Sequence, residues 1–163
     1  GAGGAQLRSA APQDLRGPVR VGDRVAHAPA GAPRAVAAVL GLGRGDETVA
    51  GIGQRRLATI RPQERTTPAG RFVASLGHDY EQDILWIDYE TSLSLHRVID
   101  GKPAERRHQR LASSTPLDNR ISYGCINVPV KFYDDLVRPA FTDTVGIVYI
   151  LPEEKTIDEI FAM

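Results

Sequence analysis

Three consecutive runs between residues 71 and 98 carry the clearest hydrophobic pattern in the chain. Arg71-Phe72-Val73-Ala74-Ser75-Leu76 alternates, placing Phe72, Ala74 and Leu76 on one face, as a strand with one buried side requires. Ile84-Leu85-Trp86-Ile87-Asp88-Tyr89 is almost continuously apolar and rich in β-branched and aromatic residues, which predicts a strand covered on both faces. Ser92 to Val98 alternates again, with Leu93, Leu95 and Arg97 on one side and Ser94, His96 and Val98 on the other. Thr67-Pro68-Ala69-Gly70, just before the first run, is a β-turn in which proline presets φ at the second position. Val145 to Leu151 is a fourth strand, β-branched throughout much of its length.

Elsewhere the pattern is weaker. Val19 to Val25 alternates loosely, and Ala35 to Leu42 is a short apolar run that periodicity alone assigns to neither strand nor helix. Residues 1–20, rich in Gly, Ala, Pro and Arg, are expected to be a flexible segment ahead of one domain over 21–163. Pro129 suits the first turn of a helix whose inward stripe is Val130, Tyr133, Leu136 and Val137, with Arg138-Pro139 as its stop. Asp100 to Arg120 is polar and rich in breakers, with a turn or two of helix over Glu105 to Leu111. Its length marks it as a lid or a substrate wall. Thr156 to Met163 is a weakly helical tail. The predicted class is mainly β, with one main helix.

Composition narrows the function classes. Twenty basic and twenty acidic residues in 163 give a formal charge of zero, and aromatics are few, so nothing points to nucleic acid. No apolar run approaches the length of a membrane span, and a single cysteine excludes an internal disulfide. The start, Gly1-Ala2-Gly3-Gly4-Ala5, lacks the basic and apolar regions of a signal peptide, so an exported protein is expected here in mature or trimmed form. Gly41, Gly43 and Gly45 do not make a phosphate loop, because no Lys-Ser/Thr follows and Asp46-Glu47 would repel phosphate. Arg55, Arg56, Arg61 and Arg65 read as a solvated surface or as a rim attracting acidic peptides. His27 and His78 receive no role.

The lone cysteine sits in Arg120-Ile121-Ser122-Tyr123-Gly124-Cys125-Ile126-Asn127, read as a strand end followed closely by the helix. A nucleophilic thiol benefits from such a setting, because glycine admits close approach to the backbone and consecutive amides can face a developing oxyanion. The alternative is a small buried hydrophobe. Ser122, Gly124, Cys125 and Asn127 match the [Ser/Thr]-His-Gly-Cys-x-[Asn/Arg] motif, which this stretch resembles, with Tyr123 replacing the histidine. That motif belongs to the L,D-transpeptidase catalytic domain, the YkuD-like family of peptidoglycan cross-linking enzymes. Thr67-Pro68-Ala69-Gly70-Arg71-Phe72 is similar to the T-P-x-G-x-F turn of the same family, and Leu93-Ser94-Leu95-His96 to the strand carrying its histidine.

The resemblance implies a compact β-sandwich-like fold in the bacterial cell envelope, probing stem peptides with Cys125 as nucleophile and His96 as base. It implies an oxyanion hole from the amides of Tyr123, Gly124 and Cys125. Ser122 would bond near the histidine, and Asn127 would brace the loop. It implies no metal or organic cofactor. His108 lies nearer Cys125 in sequence than His96 does, but its neighbours Arg106, Arg107 and Arg110 describe a solvated loop, so His96 is the expected base. Arg97, where the family has glycine, and Arg120 are each either a structural charge or a hold on a stem carboxylate. An L,D-carboxypeptidase and a non-catalytic wall-binding module are the competing expectations.

Overall fold

The computed structural model describes residues 6–10, 18–20, 25–27, 34–79 and 81–161. Its strands are β1 (Gln6–Ala10), β2 (Pro18–Arg20), β3 (Val25–His27), β4 (Arg34–Val36), β5 (Leu40–Gly41) and β6 (Gly70–Asp79), followed by β7 (Gln82–Asp88), β8 (Leu93–Arg97), β9 (Arg120–Ser122), β10 (Ile126–Val128) and β11 (Val145–Ile150). The helices are short: α1 (Arg107–Leu111), α2 (Val130–Phe132), α3 (Arg138–Phe141) and α4 (Ile157–Ile160). The described residues are thus mainly β.

Seven strands form one sheet in the order β10-β8-β7-β6-β11-β1-β2, while β3 pairs with β4 and β5 with β9. The long antiparallel hairpin β6–β7 arises where the sequence alternates most strongly, and β6 carries the expected inward Ala74 against the exposed Val73. Ile84, Leu85 and Ile87 of β7 are all buried, as cover on both faces demands. At one edge β10 joins β8 in parallel, with Ile126 opposite Leu95 and Asn127 opposite His96. The β5–β9 pair is tied to this edge by Val39 and Asn127, whose backbones exchange two hydrogen bonds of 2.8 Å.

One face of the sheet buries Ala74, Leu85, Leu95, Ile126 and Val148 beneath Phe132, Tyr133, Val137 and Phe141. Each fully buried aliphatic or aromatic side chain of this kind contributes about 1.5–3 kcal/mol. The helix that supplies the covering layer does not stop at Arg138-Pro139 as the sequence suggests. A π turn over Tyr133–Val137 links α2 to α3, and the Arg138 amide bonds the Tyr133 carbonyl five residues back. Pro139 has no amide to donate and its ring crowds the carbonyl one turn earlier. The widened turn removes that conflict, and the helical path runs on to Phe141.

One other expectation changes. Within the segment expected to be flexible, the backbone of 6–10 and 18–20 extends the sheet, β1 against β11 and β2 against β1, while its other residues lie outside those described. Strand β10 lies between Cys125 and the helix, which opens at Val130 directly after Pro129, where the sequence places its first turn.

Candidate active site

The parallel register of β8 and β10 places the chemistry. Cys125 precedes Ile126, the partner of Leu95, so it lies beside Ser94 and on the same face as His96. The Ser94 hydroxyl donates to the Cys125 sulfur at 3.4 Å, and the sulfur is 3.3 Å from the Ser92 carbonyl. The His96 imidazole lies near enough to the same sulfur to act on its ionisation. His96 Nδ1 is 2.6 Å from the Arg97 carbonyl, which can only accept. Nδ1 therefore carries a proton and Nε2 is the nitrogen left for the thiol.

Electrostatics favour the charged pair. Burial pushes the Cys125 thiol up, but the hydrogen bond and charge of His96, then the Ser94 hydroxyl, outweigh it and leave the thiol below its ordinary range. Burial pushes His96 down, yet the Cys125 hydrogen bond and charge outweigh that and leave the ring above its ordinary value. Cys125 is half-buried and lines a cavity of about 190 Å³ with Tyr123, Gly124, Ile52, Ile60 and Leu93.

The turn that presents the sulfur is held by its own side chains. Ser122 Oγ donates to the Cys125 carbonyl at 2.7 Å and accepts from the Gly124 amide at 3.1 Å. Gly124 has φ 140°, and a Cβ there would sit 2.7 Å from the Thr66 carbonyl oxygen, so glycine is required twice over. Asn127 is fully buried and donates through Nδ2 to the Cys125 carbonyl at 3.2 Å. That is the bracing role the sequence suggested for it. Ser122 braces the turn as well, rather than approaching the histidine, and Ser94 is the hydroxyl at the sulfur.

The expected oxyanion hole is narrower than three amides. The Gly124 amide is committed to Ser122, whereas those of Tyr123 and Cys125 have no acceptor among the described residues. Tyr123 faces the cavity and carries the Arg65 guanidinium 4.1 Å from its ring centroid. The two arginines offered as substrate contacts are engaged elsewhere. Arg97 is 3.1 Å from Asp83 and 2.6 Å from Asp134, and stacks 4.2 Å from the Tyr133 centroid. Arg120 pairs with Glu153 and donates to the Gly41 and Gly43 carbonyls. Neither lines the cavity. His108 is exposed and pairs with Asp100 at 3.0 Å, and His78 is exposed on β6.

Three residues at the site had no role in the sequence reading. Ser94 shares His96's face in the alternation of β8, a signal that was present in the pattern. Thr67 belongs to the T-P-x-G turn, and its hydroxyl donates to the Gly124 carbonyl. Arg107 donates to Asn127 Oδ1 at 2.9 Å, and nothing in its Arg-rich surroundings marks it as buried. Among the described residues no group of three or more His, Cys, Asp or Glu side chains is arranged to hold a metal ion, and no helix is long and apolar enough to cross a membrane. Comparisons with models of protein families, with curated proteins and with solved structures find no match to this chain.

Proposed function

We propose that this chain is a cysteine acyltransferase of the L,D-transpeptidase type, with a β-sandwich-like fold of that family, acting on peptidoglycan stem peptides in the bacterial envelope. The observation that carries the reading is the Cys125 sulfur, lining a cavity beside Ser94 on the strand face it shares with a carbonyl-anchored His96.

The Cys125 thiolate attacks the carbonyl carbon that joins meso-diaminopimelate to D-Ala in a tetrapeptide stem. The carbonyl electron pair moves to oxygen, where the Tyr123 and Cys125 amides face it, and one such donor is typically worth about 3–4 kcal/mol. Collapse of the tetrahedral adduct breaks the C–N bond, and the His96 imidazolium gives its proton to the departing D-Ala amine. The side-chain amine of a second stem then attacks the thioester. His96, now neutral, takes the amine's proton, the sulfur leaves as thiolate, and a diaminopimelate–diaminopimelate cross-link remains. These steps balance without a cofactor.

Incubating the protein with purified tetrapeptide muropeptides and reading the products by mass spectrometry tests the reading. Cross-linked dimers that disappear in Cys125→Ala support it. Tripeptides alone identify an L,D-carboxypeptidase, in which water replaces the acceptor amine. Unchanged muropeptides, together with a Cys125 left unmodified by a carbapenem-type acylating agent, overturn both and leave a wall-binding module.

A further inference from the structure

The connection between β8 and β9 sends one side chain back into the site. Arg107, at the start of α1, is buried, with 8% of its surface exposed. Its Nε donates to Glu105 Oε2 at 2.7 Å and its Nη1 to Asn127 Oδ1 at 2.9 Å. Gly101, with φ 59°, passes directly over this pair, and a Cβ there would come within 2.5 Å of Glu105 Oε2 and 3.0 Å of Arg107 Nε. The backbone of the connection is therefore shaped around the guanidinium.

We propose that Arg107 is a positioning residue for the Cys125–His96 pair, acting through the Asn127 amide. The argument is one of donors and acceptors. A guanidinium only donates, so the Asn127 atom facing it is the oxygen. The amide is then locked with Nδ2 toward the Cys125 carbonyl, which only accepts. That carbonyl is held from the other side by Ser122 Oγ. Without Arg107 the buried Asn127 oxygen loses its donor, and the amide is held on one side only, by its bond to the Cys125 carbonyl. The cation also acts on the base, since Asn127 is the register partner of His96. The groups acting on the ring are the Cys125 thiolate, before β10, the Arg97 carbonyl on its own strand, and Arg107 from α1, whose charge disfavours the imidazolium.

The inference deepens the acyltransferase reading and rests on it for its purpose, but its test does not need acyl transfer. Iodoacetamide alkylation of Cys125 requires only a correctly held thiolate. In Arg107→Met the alkylation rate at neutral pH is expected to fall at least about threefold, and the His96 ring titration, followed by NMR, to move to higher pH. Arg107→Lys keeps the charge and is expected to keep the His96 titration near that of the original protein, an outcome a purely structural role does not produce. Should Arg107→Met not fold, Asn127→Asp reads the same link, because it preserves an acceptor for Arg107 but removes the donor to Cys125. It too is expected to slow alkylation. A folded Arg107→Met with unchanged alkylation and an unchanged His96 titration overturns the proposal, as does Asn127→Asp with unchanged alkylation. If muropeptides are not processed at all while these shifts appear, the acyltransferase reading fails and the role of Arg107 stands.

Discussion

Thr67 and Gly124, 57 positions apart, are joined by a 2.7 Å hydrogen bond from the threonine hydroxyl to the glycine carbonyl. The same hydroxyl accepts from the Gly41 amide at 2.9 Å, so one buried oxygen fastens the turn before β6, strand β5 and the cysteine turn to one another. Thr67→Val keeps the shape and removes both bonds, leaving a buried amide and a buried carbonyl unpaired. A loss of about 1–3 kcal/mol in denaturant unfolding is expected, with slower alkylation of Cys125. Unchanged stability would show that the Gly41 and Gly124 groups find other partners.

Gly124→Ala tests the turn itself. Its φ of 140° is a region that side chains rarely adopt, and the added methyl meets the backbone oxygen of Thr66. Strain at one such position is worth about 1–3 kcal/mol, and the close contact adds to it. Thermal unfolding should show a lower midpoint than for Ser122→Ala, which removes hydrogen bonds but no backbone freedom.

The paired shifts of Cys125 and His96 fix the sign of a pH effect. The thiol lies below and the imidazole above its ordinary value, and both shifts favour the thiolate–imidazolium pair over the neutral one. Alkylation of Cys125 is expected to remain fast at pH values well below about 8.5, where a free thiol is mostly protonated. In His96→Ala the profile should move up toward that of a free thiol, with at least about a tenfold slower reaction at neutral pH. His108→Ala should leave the profile in place.

Glu64 predicts an acid limb of stability. Hydrogen bonds from Arg55 and from the Arg61 amide and side chain hold its carboxyl at about 2, below the usual carboxylate range. A folded-state value below the unfolded one means that its contribution is complete above about pH 4.3 and is lost as pH falls toward 2. Glu64→Gln should flatten the dependence of stability on pH in that window while leaving the slope above pH 5 unchanged, as urea midpoints would show.

Where local pattern decides structure, the sequence was readable. The alternation of residues 71–76 and 92–98 produced β6 and β8, and it puts His96 on a strand, whereas His108 is exposed. What could not be read depended on partners distant in the chain. Arg97 read either as a structural charge or as a hold on a carboxylate, and its partners Asp83 and Asp134, distant in the chain, decide for the structural role. Arg120 is claimed in the same way by Glu153. Pro139 signals a helix stop by every local rule, and only a π turn bearing buried Tyr133 and Val137 over the sheet overrides it. Arg107 shares one polar stretch with Lys102, Arg106, Arg110 and Arg120, and burial sets it apart.

The parallel pairing of β8 with β10 has a consequence for how this chain can vary. The spacing between imidazole and sulfur is set by a ladder of backbone hydrogen bonds, not by the polypeptide that runs between them. Wherever that stretch carries neither Arg107 nor the Ser122–Gly124 turn, its length and surface chemistry can change without altering the spacing.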